Sequence, residues 1–430
     1  MADLAVHWRD TANDSLTLAE AIGRARAQNP RLAAARGEVE AAASRVQYAA
    51  AARQPLLRVS GFASRYTSDQ RLLPPTGPGQ PLVYAQQLGG GDLSLEIPLF
   101  LGGRLTQQLR AAERLRDAQS ERLERAADEL EYQVAATFFG ILRQQRLVES
   151  IRFSVGAVEA HERTVIDLTE AGKAARVDVL RTQVRLADLR QRLLAEENNL
   201  DVQKMVLAYL LAWEPLEPFP VLSGELGLRP IHEDVDAGVA QALSARSDLQ
   251  AARLARSGQE HRVGAARAAR WPAISLQGSF TERWAIVPGE RLEGADFSPT
   301  LGYLGVAASL PLFDGGRTSA QISEARALLG AADQELRDLE ARVRLEVDEA
   351  VLAIRSARGR VEAIETAIQQ GLESLRIEQE KYRLGKGALT DVLDAQSELL
   401  TAETVFFGAL ADYNIAIARY SLVTGEDVPW

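Results

Sequence analysis

The 430-residue chain contains no cysteine, two methionines and four histidines. That absence excludes disulfides, thiolate zinc sites, iron–sulfur clusters, thiol nucleophiles and a lipid-bearing N-terminal cysteine in this form of the chain. No window approaches the roughly 18 consecutive apolar residues of a membrane-spanning helix, which excludes a helical membrane protein. The first ten residues, Met1 to Asp10, lack a basic segment followed by an apolar one, so a secretion signal is expected to have been removed or never present. Basic residues are in deficit: 49 Lys and Arg stand against 59 Asp and Glu, a net charge of −10. A surface of that sign repels nucleic acid unless a basic patch offsets it, and no such patch is found. His7, His161, His232 and His261 are scattered, with no pair at helical spacing, so no metal site is expected. Gly172-Lys173 and Gly385-Lys386 lack the earlier glycine and following hydroxyl of a phosphate-binding loop, and no catalytic constellation is visible, so neither a cofactor nor enzyme activity is expected.

What is present is a duplication. Pro98-Leu99-Phe100-Leu101-Gly102-Gly103-Arg104 returns, with one change, as Pro311-Leu312-Phe313-Asp314-Gly315-Gly316-Arg317. At the same shift, the segment Gly172 to Leu180 returns as Gly385 to Leu393. Upstream, Arg53-Gln54-Pro55 aligns with Arg270-Trp271-Pro272, and Leu32 with Leu249, at a slightly longer shift. The difference falls between these segments, where loops tolerate it.

Each copy reads helix, strand, loop, strand, long helix, turn, helix. The spacing predicts helices over 16–54, 102–171 and 177–212, then 234–270, 315–384 and 390–424. Together they cover about two-thirds of the chain, against roughly one-third in an ordinary globular domain. Thr17 and Glu20 form a capping box at the first start; Pro55 and Pro272 end the first helix of each copy. Leu123, Ala127, Leu130, Val134, Thr137, Ile141, Gln144, Val148, Ile151, Val155 and Val158 alternate steps of four and three, the period of a coiled-coil seam. A 70-residue helix spans about 105 Å. The organisation predicted is an N-terminal extension (1–15), a first repeat (16–212), a linker (213–233) at the waist of a rod, a second repeat (234–424) and a tail (425–430).

Between helices the apolar period drops to two, which predicts strands near 56–66, 92–99, 273–284 and 301–311. Leu93, Leu95 and Ile97 oppose Asp92, Ser94 and Glu96; Ile274, Leu276 and Phe280 oppose Ser275, Gln277 and Thr281. The length, about 9–12 residues, suits a tilted strand crossing a bilayer. Four strands cannot close a barrel, and open edges are not viable in hydrocarbon, so a membrane reading requires several chains to share one barrel. The connecting loops, 67–91 with Gly89–Gly91 and 285–300, are expected at the end away from the helices.

In the order and duplication of these pieces the chain resembles the TolC-like outer-membrane efflux channel family, from about Leu16 to Asp427. The resemblance rests on Leu18-Ala19-Glu20-Ala21-Ile22 with Asn29-Pro30, the two Pro-Leu-Phe-x-Gly-Gly-Arg segments, and Tyr382-x-x-Gly385 followed by Asp391-Val392-Leu393-Asp394-Ala395. It implies a mainly α fold with transmembrane β structure. Four strands per protomer would enter a trimeric twelve-stranded barrel, continued by a long α-helical coiled-coil barrel. It implies a homotrimer in the Gram-negative outer membrane extending into the periplasm, contacting lipid through Leu93, Leu95, Ile97, Ile274, Leu276 and Phe280. The implied partners are a periplasmic adaptor (membrane fusion) protein and an inner-membrane transporter that supplies the energy, with no catalytic activity in the channel. Adaptor docking would use the tips at Gly172, Lys173, Gly385 and Lys386.

The implied gate comprises Asp178, Tyr382, Asp391 and Asp394. Asp391 and Asp394 share a helix face just after the second tip turn, and a trimer would place six carboxylates around the axis. Such a ring attracts cations and makes opening sensitive to pH and divalent ions. For Asp178 and Asp391, helix capping is the competing explanation; for Tyr382, a core aromatic; for the turn glycines, backbone geometry. Asp394 lies deeper, and its first-copy counterpart is Arg181. A basic residue that usually assists the family's closure is replaced by Gly387, with Lys386 adjacent. Within the fold, drug export competes with a type I protein-secretion duct and with a metal-efflux duct, the last weakened by the scarcity of soft ligands. Outside it, the rival is a soluble coiled-coil scaffold.

Overall fold

A computed structural model of the chain describes residues 15–71, 84–214, 219–231, 234–286 and 300–426. Most of the N-terminal extension, most of both strand-connecting loops, part of the 213–233 linker and the end of the tail lie outside the described residues. The elements in order are β1 (Ser15–Leu16), α1 (Leu18–Gln28), α2 (Pro30–Ala51), β2 (Leu56–Arg71), β3 (Tyr84–Leu101), α3 (Arg104–Glu170), α4 (Arg176–Leu210), β4 (Val221–Leu222), α5 (Val235–Ala245), α6 (Ser247–Ala268), β5 (Ala273–Ala285), β6 (Thr300–Ser309), α7 (Arg317–Arg383) and α8 (Leu389–Thr424). They fall into two compact units. One combines residues 1–38, 120–251 and 337–430; the other, which holds the four long strands, combines 39–119 and 252–336. This division cuts across the two repeats.

The first helix of each copy is not continuous, as the spacing predicted, but broken, at Asn29 and at Arg246, both with ψ of 124°. Pro30 disfavours the helical region for Asn29. No proline follows Arg246, and there side-chain bonding accompanies the break. Asn29 is buried and donates Nδ2 to the Leu210 carbonyl at 2.9 Å. Arg246, equally buried, donates to the Val423 carbonyl at 3.3 Å, the same position in the other repeat. It also bonds Asp248 Oδ1 at 3.0 Å and Glu346 Oε2 at 2.6 Å. The starts correspond too: Thr17 and Glu20 form the expected capping box on α1, and Asp234 caps α5 through the amides of Asp236 and Ala237.

The α3 seam is an intrachain core. Leu130, Val134, Ile141, Val148, Ile151 and Val158 are all buried. Its two polar members are satisfied: Thr137 donates to the Gln133 carbonyl at 2.8 Å, and Gln144 to the carbonyl and carboxylate of Glu196 at 3.0 and 2.8 Å. The same seam recurs at the equivalent positions of α7, where Val343, Val347, Ala350, Ile354, Ala357 and Val361 are buried.

The long strands form one antiparallel sheet in the order β2-β3-β5-β6. Leu56 pairs Glu96 in the first hairpin and Ala273 pairs Ser309 in the second, so the two registers coincide under the repeat shifts. The strands depart from their expected bounds, and Gly89–Gly91 belong to β3 rather than to a loop. They pair Ala63–Gly61 on one side and Trp284–Glu282 on the other. The absent side chains make room for rings: a Cβ on Gly89 would fall 2.5 Å from the indole nitrogen of Trp284, and one on Gly90 2.5 Å from the Phe62 ring. These glycines are therefore covered by aromatics, a known stabiliser of glycine in sheets.

Burial pushes the Asp248 carboxyl upward, but the hydrogen bonds from Arg246 and the charges of Arg125 and Arg246 outweigh it and hold it below the usual carboxylate range. A depressed acid stabilises the fold above its ordinary pKa, and that contribution is lost as the pH falls through the depressed value. Arg246→Ala leaves Asp248 and Glu346 without their shared cation and is expected to cost about 3–5 kcal/mol. Chemical denaturation at neutral pH measures this, and the deficit is expected to shrink in acid as Asp248 protonates.

Candidate functional site: the two-faced sheet and the helical tip

In the sheet, register sorts the residues onto two faces. Leu93 pairs Val59 and Phe280, Leu95 pairs Leu57 and Gly278, and Ile97 pairs Leu276. Leu276 continues to Val306, and Ile274 to Ala308. Side chains of directly paired residues share a face, so over these rungs one side is apolar across all four strands. The six residues named from the sequence lie on it; Leu93 and Phe280 are exposed and the other four half-buried. On the opposite side Asp92 accepts hydrogen bonds from Ser279 Oγ at 2.7 Å and Thr281 Oγ1 at 2.8 Å. Arg58, Ser94, Glu96, Gln277 and Tyr303 extend this polar face around a shallow cavity of about 270 Å³. No helix among the described residues is long and apolar enough to cross a membrane.

At the tip, the α3–α4 and α7–α8 turns are built alike. Gly172 and Gly385 both take φ of +69°, the left-handed region open to glycine. The Lys173 amide bonds the Leu168 carbonyl and the Lys386 amide the Lys381 carbonyl, each at 2.8 Å. These are helix-ending bonds of the Schellman type. All four tip residues are exposed. At Gly387 a Cβ would fall 2.9 Å from Lys381 Cβ and 3.2 Å from the Tyr382 amide, so a side chain there requires a local shift; the equivalent position of the first turn is Ala174.

Asp391 and Asp394 are exposed on α8, one turn apart. Asp391 accepts from the Ala388 amide at 3.4 Å, so the capping role has a bond behind it at this position. Tyr382 is buried in an apolar cluster with Val165, Leu375, Leu389, Val392 and Leu399. Burial, aided by the negative charge of Asp178, pushes its hydroxyl above the ordinary value. The structure thus brings Asp178 within the field of Tyr382, but the Tyr382 hydroxyl is buried with no hydrogen-bond partner among the described residues. Two features escaped the sequence reading. His161 lies beside Tyr382, ring centroids 5.0 Å apart, and burial holds its pKa below the ordinary value; only tertiary packing joins two residues so distant in the chain. Helix α4 exposes Val177, Leu180, Val184, Leu194, Val202, Met205 and Tyr209. Their steps of three and four, continued through polar members, were legible as a second seam.

The chain matches the family model described as outer membrane efflux protein over residues 21–212 and 238–426. It is 23% identical to the outer membrane efflux protein BepC of Brucella suis over 80% of this chain and 73% of that one. It is 26% identical to nodulation protein T of Rhizobium leguminosarum biovar viciae, over 95% of this chain and 82% of that one. Its fold matches the crystal structure of the Campylobacter jejuni CmeC outer membrane channel with a TM-score of 0.81 at 18% identity, over 98% of this chain and 90% of that one. The chain belongs to the outer membrane efflux protein family. It is accordingly a conduit of the Gram-negative outer membrane that extends into the periplasm, and not an enzyme. The soluble scaffold is thereby set aside.

Because the Tyr382 hydroxyl has no hydrogen-bond partner among the described residues, Tyr382→Phe is expected to leave protomer stability unchanged or raise it by about 1 kcal/mol. Thermal unfolding of the dispersed protomer measures this, and a loss of that size would reveal a bond to Tyr382.

Proposed function

We propose that three copies of the chain close a twelve-stranded barrel in the outer membrane, prolonged by a helical barrel, and that this duct passively conducts small toxic molecules delivered by a periplasmic adaptor and an energised inner-membrane pump. The observation that carries the reading is the sheet: over its central rungs apolar side chains share one face across all four strands, while Arg58, Asp92, Ser94, Glu96, Gln277 and Thr281 share the other, and edge strands β2 and β6 are each paired on one side only among the described residues. Such a sheet is viable in hydrocarbon only if its edges are joined, because an unpaired backbone group there costs several kcal/mol. The exposed seam of α4 supports the same assembly, since a stripe of that period suits a neighbouring helix.

On this reading the apolar face meets lipid, and the polar face, with Asp92, Glu96 and Arg58, lines the bore. The exposed tips at Gly172, Lys173, Gly385 and Lys386 are the docking points for the adaptor. Asp391 and Asp394, repeated by the threefold axis, form an acidic constriction; Asp178 and Tyr382 support it from behind, with no hydrogen bond to the Tyr382 hydroxyl among the described residues. The relatives named above, an efflux protein and a nodulation protein, do not select one cargo.

The test is single-channel recording of detergent-purified protein in a planar bilayer, alongside the mass of the particle. The expected result is a trimer that conducts; a monomer without conductance overturns the reading. Asp391→Ala combined with Asp394→Ala is expected to raise resting conductance or reduce cation selectivity, and unchanged recordings would remove these residues from the gate. Leu276→Arg is expected to destabilise the assembled barrel by about 2–4 kcal/mol if the position lies near the bilayer midplane. Heat resistance of the trimer in outer-membrane extracts reads this out, whereas Gln277→Arg, on the polar face, is expected to have little effect.

A further inference from the structure

The duplication specifies how neighbouring copies join, an inference that rests on the trimeric reading above. Within one chain, β3 of the first repeat pairs β5 of the second: Leu93 with Phe280, Leu95 with Gly278, Ile97 with Leu276, and, past a bulge at Pro98, Phe100 with Ile274. The strand equivalent to β3 in the second repeat is β6, where Val306 stands for Leu93, and the strand equivalent to β5 in the first is β2, where Ala63 stands for Phe280. Those two are the edges. The two hairpins already superpose under these equivalences, residue for residue. A closed barrel of quasi-equivalent hairpins therefore repeats the β3–β5 junction at the β6–β2 junction.

We infer that the register between copies is Val306 with Ala63, Ala308 with Gly61, Leu310 with Val59 and, past a bulge at Pro311, Phe313 with Leu57 of the adjoining copy. The faces agree: Val306 and Ala308 lie on the apolar side of β6, and Val59 and Leu57 on the apolar side of β2. Three features of the isolated chain are accounted for. First, β3 continues to Leu101 but β6 stops at Ser309, although the two segments match in sequence. Residues 97–101 of β3 extend beyond the β2 pairing and are held by β5 alone; the equivalent 310–314 extend beyond β5 and have no strand beside them among the described residues. Second, Leu312 and Phe313 are each 91% exposed, whereas their counterparts Leu99 and Phe100 are 56% and 44% exposed. Third, Val59 is 79% exposed, while its counterpart Leu276, covered on both sides, is half-buried.

The chain has no cysteine, so cross-linking is free of background. The pairs Val306→Cys with Ala63→Cys, and Gly305→Cys with Ser64→Cys, sit at adjacent rungs. One of the two is of the close, non-hydrogen-bonded kind in which opposing side chains approach best. Copper–phenanthroline oxidation of trimers in outer membranes is expected to convert most of the monomer band of at least one pair into covalent trimer on denaturing gels. The pair displaced along β2, Val306→Cys with Gly61→Cys, and each single variant are expected to stay at the monomer position. Trimers that cross-link through the displaced pair, or through neither registered pair, overturn the register while leaving the channel reading intact. A particle that is monomeric by mass overturns both.

Discussion

The backbone hydrogen bond in hydrocarbon is the constraint from which this architecture follows. Water is absent there, so every strand needs a neighbour on both sides. The chain supplies four long strands and leaves two edges open among its described residues. It spends its remaining sequence on helices that need no such closure, because their backbone bonds are internal. The two parts are thus held by different means. The helical seams of α3 and α7 are buried within one chain, whereas the sheet keeps a partly exposed apolar face and, among the described residues, open edges.

Duplication is what lets so short a contribution of strands be repeated in the proposed barrel. A cap at the equivalent residue, the same break with ψ of 124°, the same buried seam, the same glycine turn and the same hairpin register occur in each copy. Against that background the differences stand out as local solutions. Asn29 before a proline satisfies one carbonyl, while Arg246 satisfies the equivalent carbonyl and recruits two carboxylates to offset its buried charge. Thr137 and Gln144 in one seam are Ala350 and Ala357 in the other, so the polar contact of Gln144 to α4 has no counterpart in the second copy. At the tip, Arg181 corresponds to Asp394, and Thr169 to Tyr382. The two hairpins share a backbone but not a charge.

Periodicity made most of this legible. The long helices were found within a few residues of their ends because their seams keep one period for many turns, and the capping box at Thr17 and Glu20 has the bonds its spacing implies. What could not be read was decided by contacts remote in sequence. The break at Arg246 is signalled by no proline, and its partner Glu346 lies far along the chain in α7. Gly89–Gly91 carry the composition of a loop, yet Trp284 and Phe62 cover two of them and keep them in the sheet. At the candidate site, the shared face of Asp391 and Asp394 followed from helix phase. The unsatisfied hydroxyl of Tyr382 and its neighbour His161 did not, since burial at a four-helix tip is a property of packing alone.

The same constraint bears on the order in which such a chain assembles. The helical seams bury their apolar side chains and bond their polar ones without help, so that unit has the internal contacts of a stable fold before any partner arrives. The sheet differs: in water its apolar face favours association, and in lipid its edges forbid isolation. Insertion and closure are then coupled in the proposed assembly, since a protomer entering the bilayer alone would carry the unpaired groups of β2 and β6 with it. In the proposed assembly the exposed stripe of α4 offers a contact outside the membrane that brings copies together first, and the aligned edges follow. An assembly ordered in this way makes the helices more than a tunnel across the periplasm: they raise the local concentration of strands at the moment when the membrane demands that every edge be joined.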